Sequence, residues 1–279
     1  MFFGNPANEK KAEITLEQIR KASEAGVHLF SLAIDFPTDE SGAKESFEIA
    51  EYLLRRIIEI DPKAKVIFRI VFAGSKDWAE KYPNAVFRYE DGSLAEPSVC
   101  DDEFWGDVAK LLAAFTKSLR ALPLAHHIIG LHLDRGEWFF AEDWGYDTSK
   151  AGEKWFREWT RYRYSDDQVA LQASWLNGKV KFENIQVPEF SSLPLSKEGF
   201  LRARRNERPW VDYHLFMSDA MVARIKRLAW EVKKASDGWF LIAVSYGYTF
   251  EWSHPANAHL SLGKLLRTRE VDIICGPPS

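Results

Sequence analysis

The sequence predicts one α/β domain over residues 1–279, with a parallel sheet that is either a (β/α) barrel of TIM type or an open doubly wound sheet. Short apolar runs alternate with helical patterns, and 279 residues suit a single barrel of roughly 200 to 250 residues or more. No glycine-rich phosphate loop follows the first run, which lowers the dinucleotide-binding option. That first strand is expected to end at Asp35, because Phe36-Pro37 follows. The predicted strands are residues 28–34, 65–72, 127–133, 239–245 and 271–275.

Helices are predicted where apolar residues recur every three to four positions. Ile49, Leu53, Ile57 and Ile60 show this spacing. Residues 76–100 are polar, turn-rich and aromatic, which predicts a functional rim or a small subsidiary element. The predicted helices are residues 16–25, 44–60, 104–122, 150–163, 165–175, 212–235 and 258–266.

The charge balance argues against a nucleic-acid partner. The formal net charge is -4, and lysines and arginines are scattered among acidic residues. The densest basic stretch, residues 202–208, is interrupted by Glu207 and is typical of a solvated loop or helix end.

Residues that would hold a metal ion or cofactor are sparse. Cys100 and Cys275 form neither a disulfide framework nor a zinc pattern. His254 and His259 lack a matching carboxylate or cysteine spacing. We therefore expect no metal and no cofactor.

The start of the chain lacks the apolar core of a signal peptide, and no apolar run approaches about 18 residues. This pattern predicts a cytoplasmic protein that does not enter a membrane.

Acidic and aromatic side chains collect after the predicted strands, where parallel α/β folds bind ligands. Aromatic residues make up 14% of the chain, and core packing explains most of them, but those near a pocket could stack on sugar rings. The residues after the strands are Asp35, Lys76, Asp77, Trp78, Asp134, Arg135, Glu137, Trp138, Tyr246, Tyr248, Glu251 and Trp252.

Glu137 and Glu251 are the carboxylates that this distribution nominates as a catalytic pair. Glycoside hydrolysis uses two carboxyl groups, roughly 5 to 5.5 Å apart for retention and 6.5 to 9.5 Å apart for inversion. An apolar wall from Trp138 would raise the pKa of Glu137 and let it donate a proton. The competing interpretation pairs Glu137 with Arg135 or Arg157, and leaves Glu251 as a structural carboxylate.

The order of these motifs resembles the catalytic barrel of family-42 glycoside hydrolases and their β-galactosidase-like relatives. Residues 66–72, followed by Trp78-x-x-x-x-Pro83 and Asp91-Gly92, are similar to the family's third strand and its loop. Residues 127–133 with Glu137 resemble the fourth strand, whose end carries the acid/base glutamate. Residues 156–175, 246–251 and 272–278 resemble the later segments, so the likeness covers most of the chain.

Two departures from the family pattern stand out. Gly136 precedes Glu137 where the family has asparagine, and the family's nucleophile follows a seventh strand, whereas Ser279 ends this sequence after the sixth. The resemblance therefore implies a barrel that is incomplete at its C-terminal end. A truncated chain, a partner chain that completes the barrel, or a new role for Glu251 would explain it.

The resemblance implies a glycoside hydrolase that acts on a β-linked, galactoside-like sugar, with Glu137 as proton donor. Glu251, nominated by its position after a predicted strand, is the candidate second carboxylate. The alternative is a catalytically impaired carbohydrate-binding or scaffold protein derived from such an enzyme. A third interpretation is an unrelated α/β enzyme that uses Arg135 and Asp134 on an anionic substrate. The open edges of an incomplete barrel predict a homo-oligomer. The expected ligand is a small carbohydrate, bound by Asp35, Arg69, Asp134, Arg135, Trp138, Tyr246, Tyr248 and Trp252.

Overall fold

The structure, a computed structural model, describes residues 2–4, 9–73, 77–134, 146–192, 207–247 and 258–276. Every strand and helix predicted from the sequence is present, with shifted ends. The strands are β1 (Phe2–Gly4), β2 (Leu29–Pro37), β3 (Lys65–Ala73), β4 (Val86–Arg88), β5 (Leu94–Pro97), β6 (Ile128–Asp134), β7 (Leu241–Ser245) and β8 (Ile273–Cys275). The helices are α1 (Glu9–Glu24), α2 (Glu40–Ile60), α3 (Trp78–Lys81), α4 (Asp102–Ala121), α5 (Lys150–Arg163), α6 (Gln168–Trp175), α7 (Arg208–Ala235) and α8 (Leu262–Leu265).

Six parallel strands form the main sheet in the order β1-β2-β3-β6-β7-β8. Each strand of this sheet lies beside the one that precedes it along the chain. A doubly wound sheet would reverse its strand order at a switch point. The observed order is that of a (β/α) barrel of TIM type, so the barrel is confirmed over the open sheet.

The barrel is incomplete in the part of the chain that the structure describes. A complete barrel of this type has eight strands, and the described sheet has six, with β1 and β8 at its edges. The homo-oligomer expected from these edges stays a prediction.

The first predicted strand runs further than expected, through Asp35 to Pro37. β1 pairs only with residues 30–32, so within the described residues the later half of β2 is paired on the β3 side alone. Proline lacks an N–H and is tolerated at such an open edge. The prediction that Asp35 ends the strand was therefore wrong.

Helices α6 and α8 are shorter than predicted. Ser165 and Asp166 have φ angles of 52° and 58°, and this left-handed turn separates α5 from α6. At α8, residues 258–261 form a turn instead of a first helical turn. Residues that the apolar spacing had assigned to these two helices therefore lie in turns before them.

Side-chain caps fix where two helices beside the sheet begin. Asp39 accepts a hydrogen bond from Gly42 N at 2.8 Å at the start of α2. Asp101 accepts one from Phe104 N at 2.7 Å at the start of α4. Such caps satisfy N–H groups that have no partner inside the helix, and each stabilises its helix by about 1 kcal/mol.

The core lies between the sheet and the helices, and it is rich in aromatic rings. On α5 and α7, Phe156 packs against Tyr213 and Phe216 with ring centroids 5.3 and 5.2 Å apart. The largest fully buried side chains are all aromatic, as expected if core packing explains much of the aromatic content: Trp105, Tyr146, Tyr213, Tyr246, Phe30, Phe36, Phe68, Phe87, Phe104, Phe156 and Phe216.

The long connection after β3 contains helix α3 and the antiparallel pair β4–β5. This is the small subsidiary element that the sequence predicted as one of two options. None of the helices in the described ranges has both the length and the apolar character needed to cross a bilayer.

Candidate active site

Polar side chains collect on one face of the sheet near the carboxyl ends of four neighbouring strands. They alternate with core residues: on β6, Leu131 and Leu133 belong to the core, so the intervening side chains point to the other face. In a closed barrel that face lines the lumen. These lumen-face residues are Asp35 on β2, Arg69 on β3, His132 and Asp134 on β6, and Ser245 on β7.

Arg69 and Asp134 form an ion pair between adjacent strands. Arg69 Nε lies 3.2 Å from Asp134 Oδ2, and the two side chains are 27% and 13% exposed. The register pairs Arg69 with His132 and Val71 with Asp134. Asp134 therefore lies two residues further along β6 than the residue paired with Arg69, on the same face of the sheet. Arg69 Nε makes no aligned hydrogen bond within the described residues, so the contact is electrostatic. The pair neutralises the guanidinium and ties β3 to the end of β6.

His132 and Ser245 link β6 to β7 on the same face. His132 Nε2 lies 3.0 Å from Ser245 Oγ, and both residues are buried. Burial lowers the pKa of His132, Asp134 opposes this shift, and Arg69 adds to it. These effects together favour the neutral imidazole at neutral pH.

The lowered pKa of His132 predicts a loss of stability in acid. As the pH falls through 6.5, the ordinary pKa of histidine, the unfolded chain binds a proton at this residue, whereas the folded chain binds it only at lower pH. The folded state therefore loses stability as the pH falls. We expect His132→Gln to weaken this dependence between about pH 7 and pH 5. Thermal unfolding midpoints across this range test it against His126→Gln, since His126 is exposed. Equal pH slopes for wild type and His132→Gln would contradict the assignment.

The predicted ligand Asp35 lies on the lumen face, and its residue is exposed. Its register partner is Val71, which in turn pairs with Asp134. Asp35 and Asp134 therefore flank β3 at the same level, with an available carboxylate on one side and a paired one on the other.

Tyr246 is a correction to the predicted site. Its ring is 1% exposed and stacks on His259 with centroids 4.5 Å apart. Its hydroxyl donates to Ala258 O at 2.9 Å and accepts from Ser261 N at 3.2 Å. A ring and hydroxyl engaged in this way do not contact a sugar, so the predicted direct contact is not supported.

Tyr246 and His259 instead join the two ends of residues 248–257. Gly247 N donates to His259 Nδ1 at 3.0 Å, beside the stacked rings. From the sequence, His259 was assessed only as a possible metal ligand. Its observed contacts hold Tyr246 and Gly247, the described residues just before this segment, against His259, just after it.

Asp147 anchors the chain just after residues 135–145. It is completely buried, and it accepts hydrogen bonds from Ser98 Oγ at 2.5 Å and Ser149 N at 2.9 Å. Tyr213 Oη accepts a bond from Asp147 N at 2.7 Å. Burial raises the pKa of Asp147 against the opposing effect of these bonds. The network connects the subsidiary hairpin region, α5 and α7 at one point.

Six predicted site residues lie outside the described residues. They are Arg135, Glu137 and Trp138 in one segment, and Tyr248, Glu251 and Trp252 in the other. The structure describes the residues on both sides of these segments.

His132 and Ser245 are site residues that the sequence reasoning missed. A signal was available, because period-two alternation counted back from Asp134 reaches His132. Ser245 was the last residue of a predicted strand, but nothing local indicated its partner.

Within the described ranges, no group of three histidine, cysteine, aspartate or glutamate side chains could hold a metal ion. On the lumen face, the exposed Asp35 and the partly exposed Arg69 suit hydrogen bonding to a polar organic ligand.

Solved structures share this fold, although no family model and no curated relative match the chain. A β-galactosidase from Bacillus circulans sp. alkalophilus has a TM-score of 0.70 at 17% identity, over 100% of this chain and 40% of that chain. The chain shares the barrel fold of this enzyme. A catalytic mutant of a GH42 β-galactosidase from G. stearothermophilus has a TM-score of 0.63 at 14% identity, over 90% and 36% of the two chains.

The likeness extends to a second kind of enzyme. The catalytic domain of a β-amylase from Paenibacillus polymyxa has a TM-score of 0.72 at 13% identity, over 98% of this chain and 75% of that chain. The family resemblance drawn from the motifs is thus confirmed at the level of the fold. The chain spans about two fifths of the length of the β-galactosidases.

Proposed function

We propose that the chain is a glycoside hydrolase that acts on a β-linked, galactoside-like sugar by carboxylate acid/base catalysis. One observation carries the proposal: a barrel fold shared with β-galactosidases has a polar cluster at the carboxyl ends of its strands. In enzymes with (β/α) barrels the active site lies at that end.

Glu137 is the proposed proton donor and Glu251 the proposed second carboxylate. Glu137 follows Asp134 by three residues, and the Arg69 ion pair fixes Asp134 at the end of β6. Glu251 follows β7 in the same way, beyond the stacked Tyr246. Both proposed carboxylates therefore follow, along the chain, strand ends that side-chain contacts hold in place.

The proposed substrate is a neutral sugar. Asp35 and the partly exposed Arg69 can accept from and donate to sugar hydroxyl groups. The Asp134 carboxylate already balances the Arg69 charge, so Arg69 does not favour an anionic ligand. Arg135, Trp138, Tyr248 and Trp252 complete the proposed site.

Hydrolysis of aryl β-glycosides by the purified 279-residue chain tests the proposal. We expect the β-galactoside to be hydrolysed, and the α-galactoside with the same aryl group to be left intact. Saturable binding of galactose-type sugars without turnover would support the carbohydrate-binding alternative. A chain that neither hydrolyses nor binds these sugars would overturn both the hydrolase proposal and the carbohydrate-binding alternative.

A further inference from the structure

The backbone pairing between β6 and β7 stops before the ends of the strands. It runs from Gly130 and Leu241 to Leu133 and Val244. Asp134 and Ser245 follow directly, and the chain then leads into the segments that carry the two proposed carboxylates. Beyond the last backbone pair, side-chain contacts are what links the end of β6 to the end of β7.

The amino-terminal end of this contact is fixed by close backbone approach. A Cβ atom on Gly130 would lie 2.2 Å from the carbonyl oxygen of Leu241. No other residue type fits there without moving one of the strands, because real Cβ contacts are longer.

The hydrogen bond between His132 and Ser245 lies at the carboxyl end of the same contact. His132 is paired in register with Ala243, so its bond to Ser245 reaches two residues further along β7. The contact thus passes the last backbone pair, Leu133 with Val244. His132 is 5% exposed and Ser245 is 8% exposed, so water competes little for this bond.

We infer that His132 and Ser245 are positioning residues whose hydrogen bond, the β6–β7 bridge, holds the carboxyl ends of these strands at a fixed separation. The catalytic consequence rests on the proposed function, because it concerns the distance between Glu137 and Glu251. The structural consequence stands without it.

A fixed separation matters because the distance between the two carboxyl groups decides whether a glycosidase retains or inverts the configuration of the sugar. Misplacing a catalytic group by about 1 Å can cost on the order of 100-fold in rate. Neither side chain of the β6–β7 bridge is exposed enough to bind the sugar itself. Its loss should therefore lower kcat and leave KM nearly unchanged.

Single and double variants test the β6–β7 bridge. We expect His132→Leu and Ser245→Ala each to lower kcat on an aryl β-galactoside by about 10-fold or more. The double variant should be no worse than the worse single variant, because both remove the same contact. His132→Gln should keep most of the activity, since its amide can still bond to Ser245. His126→Gln and Ser118→Ala, at exposed positions, are the matched controls.

Hydrogen exchange gives a second measurement that does not depend on activity. Loss of the bridge in Ser245→Ala should raise amide exchange in peptides covering both β6 and β7, but not in α1. Exchange that rises in β7 alone, or kcat losses that add in the double variant, would overturn the inference. If the wild type hydrolyses no glycoside, the proposed function fails while the exchange result still decides the bridge. If His132→Leu does not fold, Ser245→Ala and His132→Gln decide it.

Discussion

We expect Glu137→Gln to lower kcat on phenyl β-galactoside by about 10²- to 10⁴-fold, the usual contribution of a general acid. Glutamine has nearly the same shape but carries no proton that it can give to the leaving oxygen. A dinitrophenyl leaving group is much less basic and departs without full protonation. The loss on the dinitrophenyl galactoside should therefore be much smaller, and steady-state kinetics on both substrates measure the difference.

Two further variants separate this role from others. Glu45→Gln, at an exposed position on α2, should leave both rates unchanged. Glu251→Gln should slow both substrates by similar factors, because a second carboxylate acts on the sugar and not on the leaving group. Full activity in Glu137→Gln, or equal losses on the two substrates, would contradict the proton-donor role.

The strands and helices could be predicted from the sequence because their signals are local. Apolar runs at residues 65–72 and 127–133 have the length of buried strands, and β3 and β6 lie there. The choice between a barrel and an open sheet could not be made in this way. It depends on which strands are neighbours, and pairs such as Arg69 with His132 are 63 residues apart along the chain.

The candidate site was predictable only where the residues themselves carried a local signal, such as a charged residue in or after a strand. Asp134 and Arg69 were both selected from the sequence, and the structure brings them together. Ser245 was not selected, because its partner His132 lies on another strand and only the register reveals the contact. Tyr246 was assigned to the sugar because it follows a strand, but the stacking partner that buries it, His259, lies beyond residues 248–257.

A large effect on stability is expected from Asp147→Ala, which should lower the free energy of unfolding by about 3 kcal/mol. Asp147 is completely buried, and its carboxylate accepts bonds from Ser98 and Ser149, which are buried too. Removing it leaves these donors without an acceptor and opens a cavity. The cost exceeds that of a surface carboxylate because water cannot replace the lost partner. Urea denaturation measures the change.

Asp91→Ala is the matched control for this prediction. Asp91 also accepts two hydrogen bonds, from Ser93 N at 2.9 Å and Ser93 Oγ at 2.6 Å, but it lies in an exposed turn. Water can satisfy both donors after the substitution, so we expect a loss below about 1 kcal/mol. Asp147→Asn should fall between the two, because the amide keeps the volume and one acceptor. Equal losses for Asp147→Ala and Asp91→Ala would show that burial does not set the strength of this network, and would contradict the role of Asp147 in joining the hairpin region, α5 and α7.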